Sequence, residues 1–267
     1  MSEIRVLVSG ACGRMGREVV KAVLREEGIR LVAAVDKVHT GKDIGNIVGL
    51  EPTGITVKND LKKAITEDKP EVMVDFTMPA TVMDNIRTGL KAGVHLVVGT
   101  TGISAEDLRE IEELCADYRV NALVAPNFAV GALLMMRCAT ICAKYFSQVE
   151  IIELHHDQKL DAPSGTSIKT AEMILASRGL NGHSETGEEK IKGVRGGDLG
   201  GIRLHSIRLP GLIAHQEVIF GGEGQTLTIR HDSLSRESFM PGVILGIKKV
   251  VEKPGLTYGL EHFLFED

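Results

Sequence analysis

The stretch Glu153-Leu-His-His-Asp-Gln-Lys-Leu-Asp-Ala-Pro-Ser-Gly-Thr166 puts two adjacent imidazoles, an ammonium four residues after the first, and a Pro-Ser-Gly-Thr helix opening into one short segment. Imidazole exchanges a proton near neutral pH, and an ammonium does so when its surroundings lower its pKa. On a strand His155 and His156 point to opposite faces, so one carries the proton while the other binds or braces. Lys159 is the second candidate donor. The first turn of a helix offers N–H groups without intrahelical partners, and its positive dipole end favours an anion. With the hydroxyls of Ser164 and Thr166 and the bare backbone of Gly165, that opening is a candidate cradle for a carboxylate or phosphate. Alone it would read as a simple cap; beside His156 and Lys159 it reads as an anion site. A metal centre needs ligands beyond His-His-Asp157, and the sequence supplies no spaced His, Cys or Glu set, so no metal is expected.

A second feature opens the chain. Ile4–Val8 is a short β-branched run, Gly10-Ala-Cys-Gly-Arg-Met-Gly16 follows, and residues 17–25 are amphipathic through Val19, Val20, Val23 and Leu24. Strand, glycine turn and helix are the context of a dinucleotide fingerprint, in which glycine lets the backbone approach a pyrophosphate. The spacing here is Gly-x-x-Gly-x-x-Gly. Leu31–Val35 ends at Asp36, 20 residues after Gly16, where a carboxylate accepts hydrogen bonds from ribose hydroxyls. Lys37 reads equally as a partner for a 2′-phosphate or as a solvated surface lysine, which leaves NADH and NADPH both open. Val72–Phe76, His95–Val98 and Asn121–Ala125 continue the alternation of strand with helix, which implies parallel pairing. Ligands of such sheets lie at the carboxyl ends of the strands. Asp36, Thr77, Gly99-Thr100-Thr101 and Ala125-Pro126-Asn127-Phe128 fall on that edge.

The elements that must position these groups follow from pattern. At 267 residues, 43% apolar and 25% charged, the chain has the composition of a globular protein. Its net charge of −5 is interspersed, which excludes a nucleic-acid surface and leaves an anionic ligand to a few placed cations. No run approaches the roughly 20 apolar residues that span a bilayer, and no leader pattern precedes the first strand, so no membrane contact and a cytoplasmic location are expected. The four cysteines, Cys12, Cys115, Cys138 and Cys142, form no CxxC pair and read as reduced thiols, the last two as packing residues on one helix face. Beyond Phe128 the pattern predicts an apolar helix over 129–146, a strand over 149–154 and a polar, glycine-rich surface loop over 181–200. From 202 the period falls to two. It predicts a strand over 202–208, a hairpin of 217–220 with 225–230 across Gly221-Gly-Glu-Gly224, and a last helix over 239–251. The expected fold is α/β: a Rossmann-like parallel sheet (1–127, completed by 233–267) with an inserted α+β domain of mostly antiparallel strands (128–232) for substrate and oligomerisation. Alternate Ile, Leu and Val on exposed strand faces point to a homo-oligomer.

Gly10-Ala-Cys-Gly-Arg-Met-Gly16, Asp75-Phe-Thr77, Gly99-Thr-Thr-Gly102, Pro126-Asn-Phe128 and the 153–166 motif together resemble the dihydrodipicolinate (4-hydroxy-tetrahydrodipicolinate) reductase family over essentially the whole chain. The resemblance implies hydride transfer from NADH or NADPH to a small cyclic dicarboxylate in bacterial lysine and diaminopimelate synthesis, by a homotetramer. It implies His155 as proton donor and acceptor and Lys159 as proton donor, with His156, Gly165 and Thr166 on the substrate carboxylates. Gly10, Ala11, Cys12, Gly13, Arg14, Met15, Asp36, Lys37, Phe76, Thr77, Gly99 to Thr101 and Ala125 to Phe128 match its cofactor contacts. Two positions depart from it: Cys12 replaces a glycine common in the first turn, and Asp36-Lys37 stands where some members have Glu-Arg. Two other readings share the glycine turn: a different two-domain dehydrogenase of a small acid, and a non-catalytic NAD-binding regulator. The first would lack the Lys-x-Asp-Ala-Pro-Ser-Gly-Thr run, and the second would need no proton donor.

Overall fold

A computed structural model describes residues 3–178 and 188–265, which fall into two compact units, Met1–Phe128 with Phe239–Asp267 and Ala129–Ser238. The chain begins with β1 (Ile4–Ser9), α1 (Arg14–Arg25), β2 (Ile29–Val35), α2 (Ile44–Val48), β3 (Val57–Lys58) and α3 (Leu61–Asp68). It continues with β4 (Val72–Asp75), α4 (Pro79–Lys91), β5 (His95–Val98), α5 (Ala105–Tyr118) and β6 (Ala122–Val124). The second unit follows with α6 (Val130–Cys142), β7 (Gln148–His155), α7 (Gly165–Arg178), β8 (Gly197–Leu199), β9 (Ile202–Arg208), β10 (Ala214–Gly222) and β11 (Gln225–Ser233). The chain then returns to the first unit through α8 (Met240–Val250), β12 (Leu256–Tyr258) and α9 (Glu261–Leu264).

The first unit is built on a seven-stranded sheet in the order β12-β6-β5-β4-β1-β2-β3, with every pairing parallel. Parallel strands covered on both faces read as continuous apolar runs, and Val6, Leu7, Val8, Met73, Val74, Leu96, Val97 and Leu123 are all fully buried. One face packs Leu7, Met73 and Leu96 against Ile86, Leu90 and Ile111 of α4 and α5. The other takes the apolar stripes of α1 (Val19, Val20, Val23) and α8 (Val243, Ile247, Val250). A capping box at Ser104 and Asp107 starts α5. The strand order reverses between β1 and β4, and ligands of such sheets bind at that switch point, outside the strand ends.

The second unit carries a five-stranded mixed sheet, β11-β10-β7-β9-β8, in which only β7 and β9 run parallel. Alternation sets its faces. Val149, Ile151, Val218, Phe220, Ile202 and Leu204 are buried, and α6 and α7 pack against strands of this sheet. Ile152, Leu154 and Ile219 occupy the alternate positions and are only half-buried.

Several element boundaries differ from the sequence reading. The divisions fall after Phe128 and after Ser238, and Ser238 Oγ donates to Ser233 Oγ (3.1 Å) within the second unit. The helix expected over 129–146 stops at Cys142 and closes in a turn. Cys138 on it is exposed and Cys142 half-buried, so neither is core packing; Leu133, Met135 and Met136 supply that. The hairpin is tighter than expected: Gly221 and Gly222 belong to β10, and Glu223-Gly224 alone make the turn, with Gly224 at φ 69°. Residues 181–187 of the expected glycine-rich loop lie outside the described residues, and 197–199 form β8 rather than loop.

Candidate active site

In the first unit, the turn after β1 is shaped by two tight approaches. Gly10 has φ 78°, and a Cβ there would stand 2.4 Å from the Phe76 carbonyl oxygen; a Cβ on Gly16 would stand 2.0 Å from the Gly10 oxygen. Gly13 is the N-cap of α1, which has no side-chain cap and no acidic residue in its first turn. The N–H donors and positive dipole end of α1 therefore remain available to an anion, and the residues present fit a dinucleotide pyrophosphate. Asp36 follows β2 and has a double duty. Its Oδ2 accepts from the Cys12 N–H (2.9 Å) and its Oδ1 from the Val38 N–H (3.2 Å), so the carboxylate fixes the glycine turn as well as standing where a ribose would be read. Arg17, which the sequence reading passed over, braces the same turn by donating to the Cys12 carbonyl (2.8 Å). Burial, with the Asp36 charge, pushes the Cys12 thiol up to about 11, so it stays protonated and unreactive at neutral pH. Arg14 and Lys37 are exposed, and Ala11 is buried.

The ends of β4, β5 and β6 hold the other candidate contacts. Asp75, fully buried, accepts at Oδ1 from the Thr77 N–H (3.1 Å), the Thr77 hydroxyl (2.7 Å) and the Thr100 hydroxyl (2.8 Å), and at Oδ2 from Asn85 (2.8 Å). One carboxylate thus locks Thr77 and Thr100 together across neighbouring strands. Gly99 is required by the Phe76 ring, which a Cβ would meet at 2.2 Å, and that ring lies 5.7 Å from the Phe128 ring at 52°. Thr101 and Pro126 are exposed, Asn127 is half-buried and Ala125 is buried. The cofactor candidates therefore collect along one edge of one sheet.

In the second unit, β7 ends at His155, and the chain turns with the Lys159 N–H donating to the His156 carbonyl (3.1 Å). His155 Nδ1 lies 2.5 Å from Glu153 Oε2. His156 Nδ1 is buried and has no hydrogen-bond partner among the described residues. The Lys159 ammonium donates to both oxygens of Asp161 at 2.8 Å. Ser164 caps α7: its buried Oγ accepts from the Ser167 N–H (3.2 Å), and its hydroxyl hydrogen is not used by that bond. Gly165 and Thr166 follow it into α7, and a Cβ on Gly165 would meet nothing within 4 Å. Open space above a helix N-terminus is what an incoming carboxylate requires.

Two residues central to this cluster had no assigned part in the sequence reading, Glu153 and Arg208. Glu153 is fully buried, and Arg208 grips it with a fork, Nη1 to Oε2 at 2.9 Å and Nη2 to Oε1 at 2.7 Å. Burial alone would push the Glu153 carboxyl up. Hydrogen bonds from His155, Arg208 and Ser206 outweigh it and hold the group down at about 2.

Two family models match the chain, "Dihydrodipicolinate reductase, N-terminus" over residues 4–128 and "Dihydrodipicolinate reductase, C-terminus" over 131–264. The chain is 53% identical over 261 residues to 4-hydroxy-tetrahydrodipicolinate reductase of Syntrophomonas wolfei, covering 97% of this chain and 98% of that one. It is 52% identical over 262 residues to the protein of the same name from Listeria innocua, covering 98% and 100%. A solved structure of dipicolinate-bound dihydrodipicolinate reductase from Paenisporosarcina sp. TG-14 matches with a TM-score of 0.85 at 45% identity, over 97% of this chain and 99% of that one.

Proposed function

The chain belongs to the dihydrodipicolinate reductase family and reduces 4-hydroxy-tetrahydrodipicolinate with NADH or NADPH in lysine and diaminopimelate synthesis, and we propose that His155 and Lys159 are its proton donors. The cofactor, when bound, supplies the hydride. Loss of the 4-hydroxyl with a C5 proton, as water, leaves a carbon–carbon double bond conjugated with the ring imine. The hydride adds at C4, and the electron pair it displaces runs to the ring nitrogen, which takes up a proton. Negative charge develops on the ring nitrogen as the hydride arrives, and a placed acid there is worth on the order of 100- to 10,000-fold. We give that role to His155 through Nε2 and to Lys159 through Nζ. Lys159 would exchange its bond to Asp161 for one to substrate.

We assign the two ring carboxylates to His156 and to the opening of α7 at Gly165 and Thr166, with Ser164 holding that opening in shape. Twin carboxylates held by several donors fix the ring, and positioning of this kind can contribute more than the acid itself. The observation that carries this reading is the clustering of two imidazoles, an ammonium and an open helix N-terminus at the end of β7. The first unit, with Asp36, the glycine turn and the edge from Phe76 to Phe128, is the cofactor domain, and residues 129–238 are the substrate domain. The test is NADH absorbance in the presence of the freshly made aldol product of pyruvate and aspartate semialdehyde. Consumption that requires this product is expected, and none with it would remove the proposal.

The exposed face of the second sheet supports self-association. Ile152, Leu154 and Ile219 lie there, half-buried, beside ion pairs of Glu150 with His205 (2.8 Å) and of Glu217 with Arg230 (2.9 Å). A homotetramer is the assembly we assign, and light scattering should return four chain masses; a single chain mass would count against it. We assign the enzyme to the cytoplasm, a reading supported by its use of NADH or NADPH. Among the described residues no helix is long and apolar enough to cross a membrane.

A further inference from the structure

We propose that Glu153 is a positioning residue of the reduction: its buried carboxylate holds the Nδ1–H of His155, so that Nε2 is the ring nitrogen left to exchange a proton, and with Arg208 it fastens the substrate cradle to the same strand. The inference rests on the reading of His155 as proton carrier.

The geometry is compact. Residues 153 and 155 lie on one face of β7, and Arg208 is the β9 residue in register with His155. Glu153 Oε2 takes His155 Nδ1 and one arm of the Arg208 fork; Oε1 takes the other arm and the Ser164 N–H at 3.2 Å. Arg208 also donates through Nη2 to the Asp161 carbonyl at 2.8 Å. One ion pair therefore ties together the strand end bearing His155, the segment leading to the cradle, and the Ser164 cap. A carboxylate held this far below its ordinary pKa can only accept hydrogen bonds, so the ring nitrogen facing it must carry the hydrogen. Glu153 itself has no proton to give at working pH. Its negative charge, already neutralised by Arg208, still faces the ring when it becomes imidazolium. The division of labour parallels that of the carboxylate in a Ser-His-Asp triad, which orients the imidazole and stabilises its charged form without being protonated.

The test combines spectroscopy with kinetics. In wild-type protein with ¹⁵N-labelled histidine, the neutral form of His155 is expected to carry its proton on Nδ1, the reverse of the tautomer favoured by free histidine. Glu153→Gln keeps the shape but loses the charge. It should lower kcat by at least ~100-fold, with KM and NADH affinity changed far less, and should release the Nδ1 tautomer. Combined with His155→Ala it should add no further loss, because the two act as one unit. A wild-type His155 protonated on Nε2 would overturn the proposal even if Glu153→Gln failed to fold. So would Glu153→Gln with wild-type kcat where His155→Ala is impaired. Full turnover by His155→Ala would instead sink the reading of His155 itself.

Discussion

His155→Ala and Lys159→Ala should each turn over on the order of 100- to 10,000-fold more slowly than the wild type, with NADH affinity unchanged. The split follows from where the groups sit. Both side chains belong to the second unit, and the glycine turn, Asp36 and the Asp75 network that shape the edge proposed for the cofactor belong to the first. Fluorescence titration with NADH, beside initial rates at saturating substrate, separates the two effects. Equal loss of cofactor affinity in both variants would mean that they disturb the fold rather than the chemistry. Lys159→Ala carries a second signature. The Asp161 carboxyl is held below its ordinary pKa first of all by the hydrogen bond from Lys159, and loses that partner in the variant. Lys159→Arg should not restore the rate, since guanidinium keeps the charge but does not release its proton at working pH.

The second large effect concerns the ion pair beneath the site. Arg208→Met keeps an apolar stem but leaves Glu153 buried without its counter-charge, and breaking a buried pair from one side costs about 3–5 kcal/mol. The pH dependence identifies the cause. Glu153 is depressed from 4.5 to about 2, so its ionisation contributes stability that is fully present above pH 4.5 and is lost as pH falls toward 2. A shift of that size corresponds to about 3 kcal/mol. In Arg208→Met the buried carboxyl is no longer held down by the guanidinium, and protonation relieves its unpaired charge. The stability gap between variant and wild type should be widest at neutral pH and narrow as the solution is acidified through 4.5. Urea unfolding at several pH values measures it. A gap independent of pH would show that Arg208 acts by packing alone.

Much of the sheet edge that we assign to the cofactor was legible as structure because it depends on local rules. A β-branched run, a glycine turn and an amphipathic stretch specify β1 and α1 within a window of about 20 residues, and acids or threonines after apolar runs mark the strand ends. The motif at 153–166 was legible for a different reason, since its chemistry is contiguous. What escaped is long-range or short. Val149, Ile151 and Glu153 share the buried face of β7 by simple alternation, so an inward-pointing acid was a signal that a buried cation must exist. Nothing local says which, because Arg208 lies 55 residues away. Asp75 is similar: the strand before it was visible, but not that Thr77, Thr100 and Asn85 converge on it. β8 and β12 have three residues each, too few for a period to show. Ser164 was read both as a cap and as a ligand contact; its oxygen accepts from the Ser167 N–H, which leaves the hydroxyl hydrogen free for a second partner.

The seventh strand has a consequence for how the molecule is made. β12 pairs in parallel with β6 although more than a hundred residues, including the whole second unit, separate them. On a ribosome the edge of β6 must wait, with its backbone N–H and C=O groups unmatched, until Leu256–Tyr258 emerge. Early termination before Leu256 would leave that border permanently open to stray strands. Synthesis through Tyr258 is thus a condition for closing the first domain, whatever has already folded in between.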